Sequence, residues 1–446
     1  MTEPLTRARI TAPISSAVAW RIVALLTVAN FLNFYDRTLP AVLAEELKAE
    51  FGLTDTAIGL IGASSIMIYA VAGIFLGRLA DRRPRRLIIG IGLIVWSLLT
   101  AASGGVWSFA SILVVRIGVG IGEASFAPAA NSLLADLFPP SKRSRAVSIM
   151  QLGLPIGATA AFLTTGLLAT AYGWRTVFLI AAVPGLIVGA MMLFIREPER
   201  GASDRIAGAS GRVDRPFSRV LRPRTMWWLI VCGIGIQIAG NGVATFMVPL
   251  LQRYFDLPLT LAGVFAGIPI GIMGVVALLV AGRAADRSRR RSPGNRLRTG
   301  AIWIGASAPL IAAAFLWTSG GVGWFLVLFS AGWFLQFAFH VTALPAISDF
   351  IEPRLRATAI AVLFAAFYIF GGGLGPVLVG FLSETFAAGA DSAADPAAEG
   401  LYTSLALVTP LALLLSAVAM WGASRTINGD HAAVTALTNT EGSAPS

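Results

Sequence analysis

Ionisable and amide side chains lie inside long apolar segments of this sequence, where such groups are energetically costly. Asn33, Asp36 and Arg37 fall within one apolar run, and Arg116 and Glu123 fall within another. A charge at the depth of a bilayer costs about 2.5–3.5 kcal/mol on insertion scales, so it usually faces the protein interior or a water-filled pathway. Buried carboxylates can exchange protons, and guanidinium groups can bind anions. The pattern therefore predicts a proton-linked pathway for an anionic ligand.

We expect proton coupling to depend on Asp36, Arg116 and Glu123, with Arg116 exchanged between the two carboxylates during a conformational cycle. A helical rise of about 1.5 Å per residue places Asp36 toward the outer side, Arg116 centrally and Glu123 toward the inner side. A buried carboxylate that loses its cationic partner gains proton affinity because its charged form is poorly solvated. Proton uptake would thereby follow helix movement. The alternative is a static structural ion pair.

Further polar and aromatic side chains within apolar runs are expected to contact the substrate. Gln237 and Asn241 are four residues apart and share a helix face. His340 is the only histidine in an apolar run, so it could bind an anionic headgroup or be a hydrogen-bonded core residue. Tyr368 belongs to an aromatic-rich run that would suit either a cavity wall or ordinary helix packing. The predicted substrate-binding residues are Asn33, Arg37, Arg116, Gln237, Asn241, His340 and Tyr368.

The elements that must position these residues are membrane-spanning helices. Hydrophobic residues make up 56% of the 446-residue chain and charged residues only 13%, whereas about a quarter of residues are charged in soluble proteins. Twelve apolar runs are long enough to cross a bilayer: 19–43, 56–79, 87–104, 106–135, 146–172, 174–195, 226–250, 259–283, 299–318, 321–348, 357–386 and 401–424. The predicted fold class is an all-α polytopic membrane protein with two pseudo-symmetric six-helix bundles.

Internal repetition divides the chain into two halves. The segment from Gly77 to Arg82 recurs 205 residues later, and the same shift aligns Asp36 with Asn241. Two related six-helix halves are typical of transporters that bind their substrate near the bilayer midplane. We predict an N-terminal bundle (1–195), a cytoplasmic linker (196–224), a C-terminal bundle (225–426) and a disordered cytoplasmic tail (427–446).

The distribution of charge predicts the orientation. The loops after the even-numbered runs and the linker are rich in arginine, whereas the opposite loops contain Lys48, Arg175 and Arg253. Both termini are therefore predicted to be cytoplasmic. Only two of the 34 basic residues are lysines, which favours a bacterial source and hence the inner membrane. The net charge of +11 does not indicate nucleic-acid binding, because the basic residues lie in loops between spans.

A cytoplasmic gate is predicted from the repeated loop after the second and eighth runs. Its glycine permits close helix packing, and its aspartate can pair with arginines or a helix N-terminus. Such a latch would stabilise one conformational state. Arginines that serve only to orient the chain would explain neither the glycine nor the aspartate. The predicted gate residues are Gly77, Asp81, Arg82, Arg145, Gly282 and Asp286.

The repeated loop resembles the signature loop of the major facilitator superfamily. Other segments resemble the spinster-type lipid transporters of that superfamily: Asn33-Phe34-Tyr35-Asp36-Arg37, Gly122-Glu123-Ala124-Ser125, Ala135-Asp136-Leu137-Phe138 and Arg196-Glu197-Pro198-x-Arg200-Gly201. This resemblance implies proton-linked transport of sphingosine phosphate or lysophospholipids. It also implies coupling and substrate roles for Asp36, Arg37, Arg116 and Glu123. Similar motifs occur in anion:cation symporters of sugar acids, so small organic anions are the second predicted substrate class.

The sequence favours a transporter over other classes of membrane protein. It contains no H-E-x-x-H motif, no cysteine cluster and no G-x-x-x-x-G-K-[ST] loop, so neither an intramembrane hydrolase nor an ATP-driven pump is expected. Two related halves also suit alternating access better than a symmetric channel pore. We predict a secondary transporter that acts as a monomer among membrane lipids, without metal or cofactor.

Overall fold

The computed structural model describes residues 15–80, 82–198, 216–277, 280, 292–317, 320–352, 355–390 and 394–442. Within these residues the regular structure is helical and no strand occurs. Twelve helices are long and apolar enough to cross a membrane: α1 (Ser16–Val42), α2 (Asp55–Ala80), α3 (Arg85–Ser103), α4 (Phe109–Leu137), α5 (Arg145–Tyr172), α6 (Trp174–Leu193), α7 (Arg224–Arg253), α8 (Leu259–Ala277), α9 (Gly294–Leu316), α10 (Gly321–Phe350), α11 (Thr358–Ala388) and α12 (Pro396–Val434). The predicted all-α, twelve-span fold class is confirmed.

Two shorter helices, Ala44–Phe51 and Pro216–Leu221, lie between spans. The first follows α1, and the second lies in the predicted linker. We define the inner end of the bundle as the end at which α1 begins and α2 finishes, in accordance with the orientation predicted from charge. The opposite end is the outer end.

Prolines explain two interruptions in the spans. Within α4 a helix ends at Ala124 and another begins at Phe126, four and two residues before Pro128. Within α5 a helix ends at Gln151, four residues before Pro155. Proline lacks the N–H that would donate to the carbonyl four residues earlier, so each helix is interrupted where that bond is missing.

The span α11 contains a π-helical segment at Phe367–Gly373, which finishes with three consecutive glycines. These glycines let α11 approach α7 closely: a Cβ atom on Gly371 would lie 2.6 Å from Cβ of Gln237. Single π-helical turns occur frequently at functional sites. This segment places Tyr368 near Gln237 and Asn241, the predicted polar residues of the second half.

At the outer end, the two halves are in direct backbone contact. A Cβ atom on Gly59 of α2 would lie 2.4 Å from the carbonyl oxygen of Pro376 in α11. A Cβ atom on Gly263 of α8 would lie 2.5 Å from the carbonyl oxygen of Phe162 in α5. Because only glycine fits at such distances, these crossings are as tight as those of small-residue membrane interfaces.

The last helix continues well beyond the membrane span. It extends from Pro396 to Gly442 and so continues into the region 427–446 that the sequence predicts to be a tail. Asp430 accepts hydrogen bonds from the backbone N–H and the hydroxyl of Thr225, at 2.9 and 2.6 Å. The first N–H groups of a helix have no partner within that helix. The start of α7 therefore provides donors that fix this extension, which hydropathy alone does not reveal.

Candidate functional site

The central feature of the candidate site is an ion pair between α1 and α4. Arg37 Nε lies 2.6 Å from Glu123 Oε2, with Glu123 fully buried and the Arg37 side chain 16% exposed. Glu123 Oε1 and Arg37 Nη2 are buried without a hydrogen-bond partner among the described residues. Because a buried charge-assisted hydrogen bond is strong only when its remaining groups are satisfied, this pair is suited to exchanging partners.

Asp36 contacts a different helix from its neighbour Arg37. Its Oδ2 atom accepts a hydrogen bond from the Thr100 hydroxyl in α3 at 3.2 Å, and its side chain is buried. Its Oδ1 atom has no hydrogen-bond partner in the described part of the chain. Adjacent residues on a helix are about 100° apart, so α1 directs one ionisable group toward α3 and the next toward α4.

Arg116 is fully buried near the outer end of α3 and α6. Its Nη2 atom donates to Ser103 Oγ at 2.5 Å, and its guanidinium lies 5.3 Å from the ring centroid of Phe178. Among the residues that the structure describes, no carboxylate lies within ion-pair distance of Arg116. In this structure Glu123 pairs with Arg37, and the exchange of Arg116 between Asp36 and Glu123 stays a prediction.

The depth order of these groups also differs from the prediction. Ser103 is the last residue of α3, and Thr100 lies about one turn deeper. Arg116, bound to Ser103, therefore lies on the outer side of Asp36 rather than at the centre. Asp36 lies six residues before the end of α1 and Arg116 seven residues after the start of α4, so their backbones are at similar depth. The long arginine side chain then carries its guanidinium outward to Ser103.

Tyrosines from both halves border Arg37. The guanidinium lies 4.1 Å from the ring centroid of Tyr69 in α2, a cation–π contact. The Tyr69 ring meets Tyr368 of α11 at 6.4 Å between centroids. Tyr368 in turn packs against Phe364 and Phe367. The Arg37 guanidinium thus lies beside an aromatic wall that joins the two halves and is formed by Tyr69, Tyr368, Phe364 and Phe367.

Sequence reasoning overlooked Tyr69. The signal was available, since Tyr69 is the only tyrosine in the run 56–79, and a phenol within a span usually needs a polar or cationic partner.

The predicted amide residues of the substrate site have different surroundings. Asn241 Nδ2 donates to the backbone carbonyl of Gln237 at 3.1 Å, and a Cβ atom on Gly372 would lie 3.4 Å from Asn241 Nδ2. Both amides therefore border the glycine segment after Tyr368. Asn33 is buried, and its Nδ2 atom has no hydrogen-bond partner among the described residues.

Aromatic side chains connect His340 to Tyr368. Its ring lies 5.8 Å from that of Phe337 and 5.3 Å from that of Phe339. Phe339 contacts Phe367, which contacts Tyr368. His340 therefore adjoins the aromatic wall through Phe339, with aromatic rings between it and the Arg37–Glu123 pair.

An ionic cluster joins the two halves at the outer end, centred on Asp55, the first residue of α2. Both terminal nitrogens of Arg253, the last residue of α7, lie 2.9 Å from the Asp55 oxygens. Arg253 Nε also donates to Glu45 at 2.9 Å. Lys48 and Ser383 donate to Asp55 at 2.8 and 2.7 Å. We call these five residues the outer cluster. Sequence reasoning did not identify it.

At the inner end, Arg85 is the buried centre of a second ionic cluster, which we call the inner cluster. Its Nε atom donates to Glu197 at 2.8 Å, and its Nη1 atom pairs with Asp136. It also donates to the backbone carbonyls of Ser132 and Pro198, each at 3.1 Å. The start of α3 is thereby tied to the end of α4 and to the segment after α6. In the second half, Arg296 and Asp349 form a comparable ion pair.

The predicted gate residues are only partly described. Asp81, Gly282 and Asp286 lie outside the described residues. Gly77 packs toward Pro128, since a Cβ atom on Gly77 would lie 3.6 Å from Cβ of Pro128.

The two remaining gate residues are exposed arginines. The Arg145 guanidinium lies 5.6 Å from the Trp20 ring centroid. Arg82 follows α2 with its backbone N–H bonded to Leu79. At the described inner end, the buried charges belong to the inner cluster and to the Arg296–Asp349 pair rather than to these arginines. Within the described residues, no group of three or more His, Cys, Asp or Glu residues could hold a metal ion.

Comparison with known proteins assigns a family. Residues 26–376 match the family model of the Major Facilitator Superfamily. An MFS-type efflux pump of Mycolicibacterium smegmatis is 33% identical over 414 residues, which cover 91% of this chain and 92% of that protein. The probable L-galactonate transporter of Escherichia coli is 30% identical over 274 residues, 59% of this chain and 60% of that protein.

Spinster proteins are also similar in sequence and in structure. The sphingosine-1-phosphate transporter SPNS2 of Xenopus tropicalis is 25% identical over 376 residues, 81% of this chain and 73% of that protein. The crystal structure of a bacterial homolog of the human lysosomal transporter spinster, inward-facing and unoccupied, superposes with a TM-score of 0.84. It is 26% identical, and the match covers 94% of this chain and 99% of that chain.

Proposed function

Because the chain belongs to the major facilitator superfamily, we propose that it is a proton-coupled transporter of an amphipathic anionic lipid, working by alternating access. Membership of this superfamily makes it a multi-pass membrane transporter rather than an enzyme. The substrate class and the coupling to protons are the proposed part. The observation that carries both is the Arg37–Glu123 ion pair beside the aromatic wall.

Proton coupling follows from competition for Arg37. In the structure the guanidinium is held by Glu123 Oε2 at 2.6 Å. Protonation of Glu123 removes its charge and so releases Arg37 for another anion, such as the headgroup of the substrate. When the substrate leaves, Arg37 returns to Glu123 and the proton is released. This scheme replaces Arg116 with Arg37 as the exchanged cation.

Asp36 and Arg116 are the second proposed element of coupling. Both side chains reach α3, Asp36 from α1 and Arg116 from α4. Asp36 accepts a hydrogen bond from Thr100, and Arg116 donates one to Ser103. Both contacts lie within about one turn of α3, so a small shift of α1 or α4 would bring the carboxylate and the guanidinium together. The proposed role of this pair is to sense which side of the transporter is open.

The lipid class is supported by what lies beside Arg37. Tyr69 and Tyr368 border the guanidinium, and the Phe364 and Phe367 rings extend the apolar surface from there. A guanidinium binds a phosphate or carboxylate headgroup, and an adjacent aromatic surface accepts an alkyl chain. A small, strongly hydrated anion would need polar groups on that side instead.

Small organic anions are the second candidate substrate class. A relative of 30% identity is a probable L-galactonate transporter, which favours this class. For such a substrate, Gln237 and Asn241, which border the glycine segment after Tyr368, would bind the hydroxyl groups of a sugar acid. The acceptor and donor capacity of these two amides suits such a ligand.

We further propose the state and placement of the molecule. The outer cluster and the tight α2–α11 and α5–α8 crossings support an inward-facing state, in which the outer side is closed. The charge distribution supports a bacterial inner membrane with both termini cytoplasmic. The proposed functional unit is a monomer with bundles at 1–195 and 225–426, joined by the linker 196–224.

Flux into proteoliposomes under an imposed pH gradient tests this proposal. Lysophospholipids and sphingoid phosphates are compared with galactonate as labelled substrates. We expect the pH gradient to drive flux of the lipids. In Glu123→Gln and in Asp36→Asn, we expect the lipid flux no longer to depend on the gradient. The matched control is Glu50→Gln, because Glu50 pairs with Arg175 at the outer surface within one half.

Two results would overturn the proposal. Transport of galactonate without transport of either lipid would replace the lipid class with the organic-anion class. Full gradient-driven flux in both carboxyl variants would exclude the coupling scheme while leaving the transporter class intact.

A further inference from the structure

A cavity of about 280 Å³ lies at the inner end of the second half, between the start of α9 and the inner part of α12. It is separate from the candidate site, with which it shares no residue. Its lining is almost entirely polar or basic: Ser292, Gly294, Asn295, Arg298, Trp421, Ser424, Arg425 and Asn428.

The two arginines of this cavity have no acidic partner in the described part of the chain. Arg298 is exposed, and its guanidinium lies 4.7 Å from the ring centroid of Trp421. Arg425 is also exposed, one turn further along α12. Two guanidinium groups beside one small cavity would bind a phosphate or phosphodiester.

The neutral lining residues are occupied with one another, which leaves the arginines as the ligand-binding groups. Gly294 N–H donates to Asn428 Oδ1 at 3.2 Å, and Asn295 N–H donates to Ser292 Oγ at 3.2 Å. A Cβ atom on Gly294 would lie 2.8 Å from the Ser424 carbonyl oxygen. This close approach of α9 to α12 forms the floor of the cavity.

The level of the cavity in the bundle favours a lipid over a soluble anion. Trp421, which forms one wall, is followed by Gly422, and a Cβ atom on Gly422 would lie 2.7 Å from the Trp228 ring. Trp227 and Trp228 near the start of α7 are both exposed. Exposed tryptophans mark the boundary between hydrocarbon and headgroups in membrane proteins. The cavity therefore lies at headgroup level.

We infer that this cavity is a binding site for the phosphodiester headgroup of an anionic membrane phospholipid, held by Arg298 and Arg425. Basic pockets between membrane helices bind anionic headgroups in this way. The ligand is a structural or regulatory lipid of the surrounding leaflet, not the transported substrate. The inference does not depend on the substrate class proposed above.

Native mass spectrometry of the full-length protein with phosphatidylglycerol tests the inference. Detergent-solubilised protein is titrated with phosphatidylglycerol, with phosphatidylcholine as the neutral comparison. Since each arginine near a headgroup contributes about a fivefold increase in binding, Arg298→Gln/Arg425→Gln should weaken one phosphatidylglycerol site about 25-fold. The matched control is Arg222→Gln, an exposed arginine before α7 that does not line the cavity.

A second variant, Ser424→Leu, keeps both arginines and fills the cavity. It should also abolish the phosphatidylglycerol site. If the arginines attracted lipid only through surface charge, this variant would bind phosphatidylglycerol like the wild type. Equal phosphatidylglycerol binding by the wild type and the double arginine variant would overturn the inference. Equal weakening by Arg222→Gln would do the same, because it would indicate unspecific attraction. Displacement of the lipid by millimolar inorganic phosphate would show that a soluble anion is the ligand and would also overturn it.

Discussion

Replacing Asp55 with asparagine should open the outer side of the transporter. Asp55 accepts two hydrogen bonds from Arg253, one from Lys48 and one from Ser383, and its side chain is only 4% exposed. The contacts with Arg253 and Ser383 exist only while the first and second halves meet at their outer ends, whereas Lys48 belongs to the same half as Asp55. The substitution preserves the size of the side chain and removes its charge, so it weakens the outer-closed state selectively.

The magnitude follows from the geometry of the outer cluster. Breaking a buried ion pair by removing one partner costs about 3–5 kcal/mol. Arg253 keeps its contact with Glu45 in the variant, and the asparagine oxygen can still accept hydrogen bonds. The expected loss is therefore smaller, about 2–3 kcal/mol, which changes the equilibrium between outer-closed and outer-open states by about 30- to 150-fold.

Electron–electron resonance distances between spin labels measure this change. The chain contains a single cysteine, Cys232, which is buried, so a Cys232→Ala background allows specific labelling. Labels at Trp107, which is 80% exposed after α3, and Leu316, which is 83% exposed at the end of α9, report on the two halves. We expect a longer distance to appear or to dominate in Asp55→Asn.

The control is Glu50→Gln, which removes an outer-surface carboxylate whose partner Arg175 lies in the same half. The Arg175 guanidinium donates to Glu50 and holds the pKa of that carboxyl below its usual value, so the control, like Asp55→Asn, removes a carboxylate that accepts hydrogen bonds from an arginine. The control should leave the distances unchanged. Wild-type distances in Asp55→Asn would refute the reasoning that the outer cluster stabilises the closed state.

Three further substitutions test other contacts. Arg85→Gln should cost about 3–5 kcal/mol of stability, because it removes the buried cation that pairs with Asp136 and Glu197; thermal unfolding in detergent measures this, and an unchanged midpoint would contradict it. Tyr69→Ala should raise the half-saturating lipid concentration about 2- to 30-fold by removing the cation–π contact with Arg37, whereas Tyr69→Phe should retain most affinity. Gly59→Val should reduce transport and lengthen the outer spin-label distance, because a Cβ atom at this position would lie 2.4 Å from the Pro376 carbonyl; wild-type flux and distances would show that the crossing can relax.

The architecture was readable from the sequence because it depends on local properties. A bilayer requires about 20 apolar residues for each span, and the twelve runs contain them, so each run predicts its helix without knowledge of the others. The cost of intramembrane charge likewise makes Asp36, Arg37, Arg116 and Glu123 conspicuous. Their roles in coupling remain predictions.

Only the tertiary structure decided which of these groups meet. Glu123 pairs with Arg37 because the rotation of α1 directs that side chain toward α4, and Arg116 is held by Ser103 instead. Helix rotation and tilt result from packing over many residues, so spacing along one helix does not predict a partner on another.

The outer cluster illustrates the same limit. Asp55 and Arg253 are 198 residues apart in the chain, and each resembles an ordinary charge at the end of a span. The contact forms because glycines let α2 and α11 approach, which brings the outer ends of both halves together. Hydropathy and charge therefore determined the helices and the candidate residues, whereas the partners of those residues were decided by close packing between distant segments.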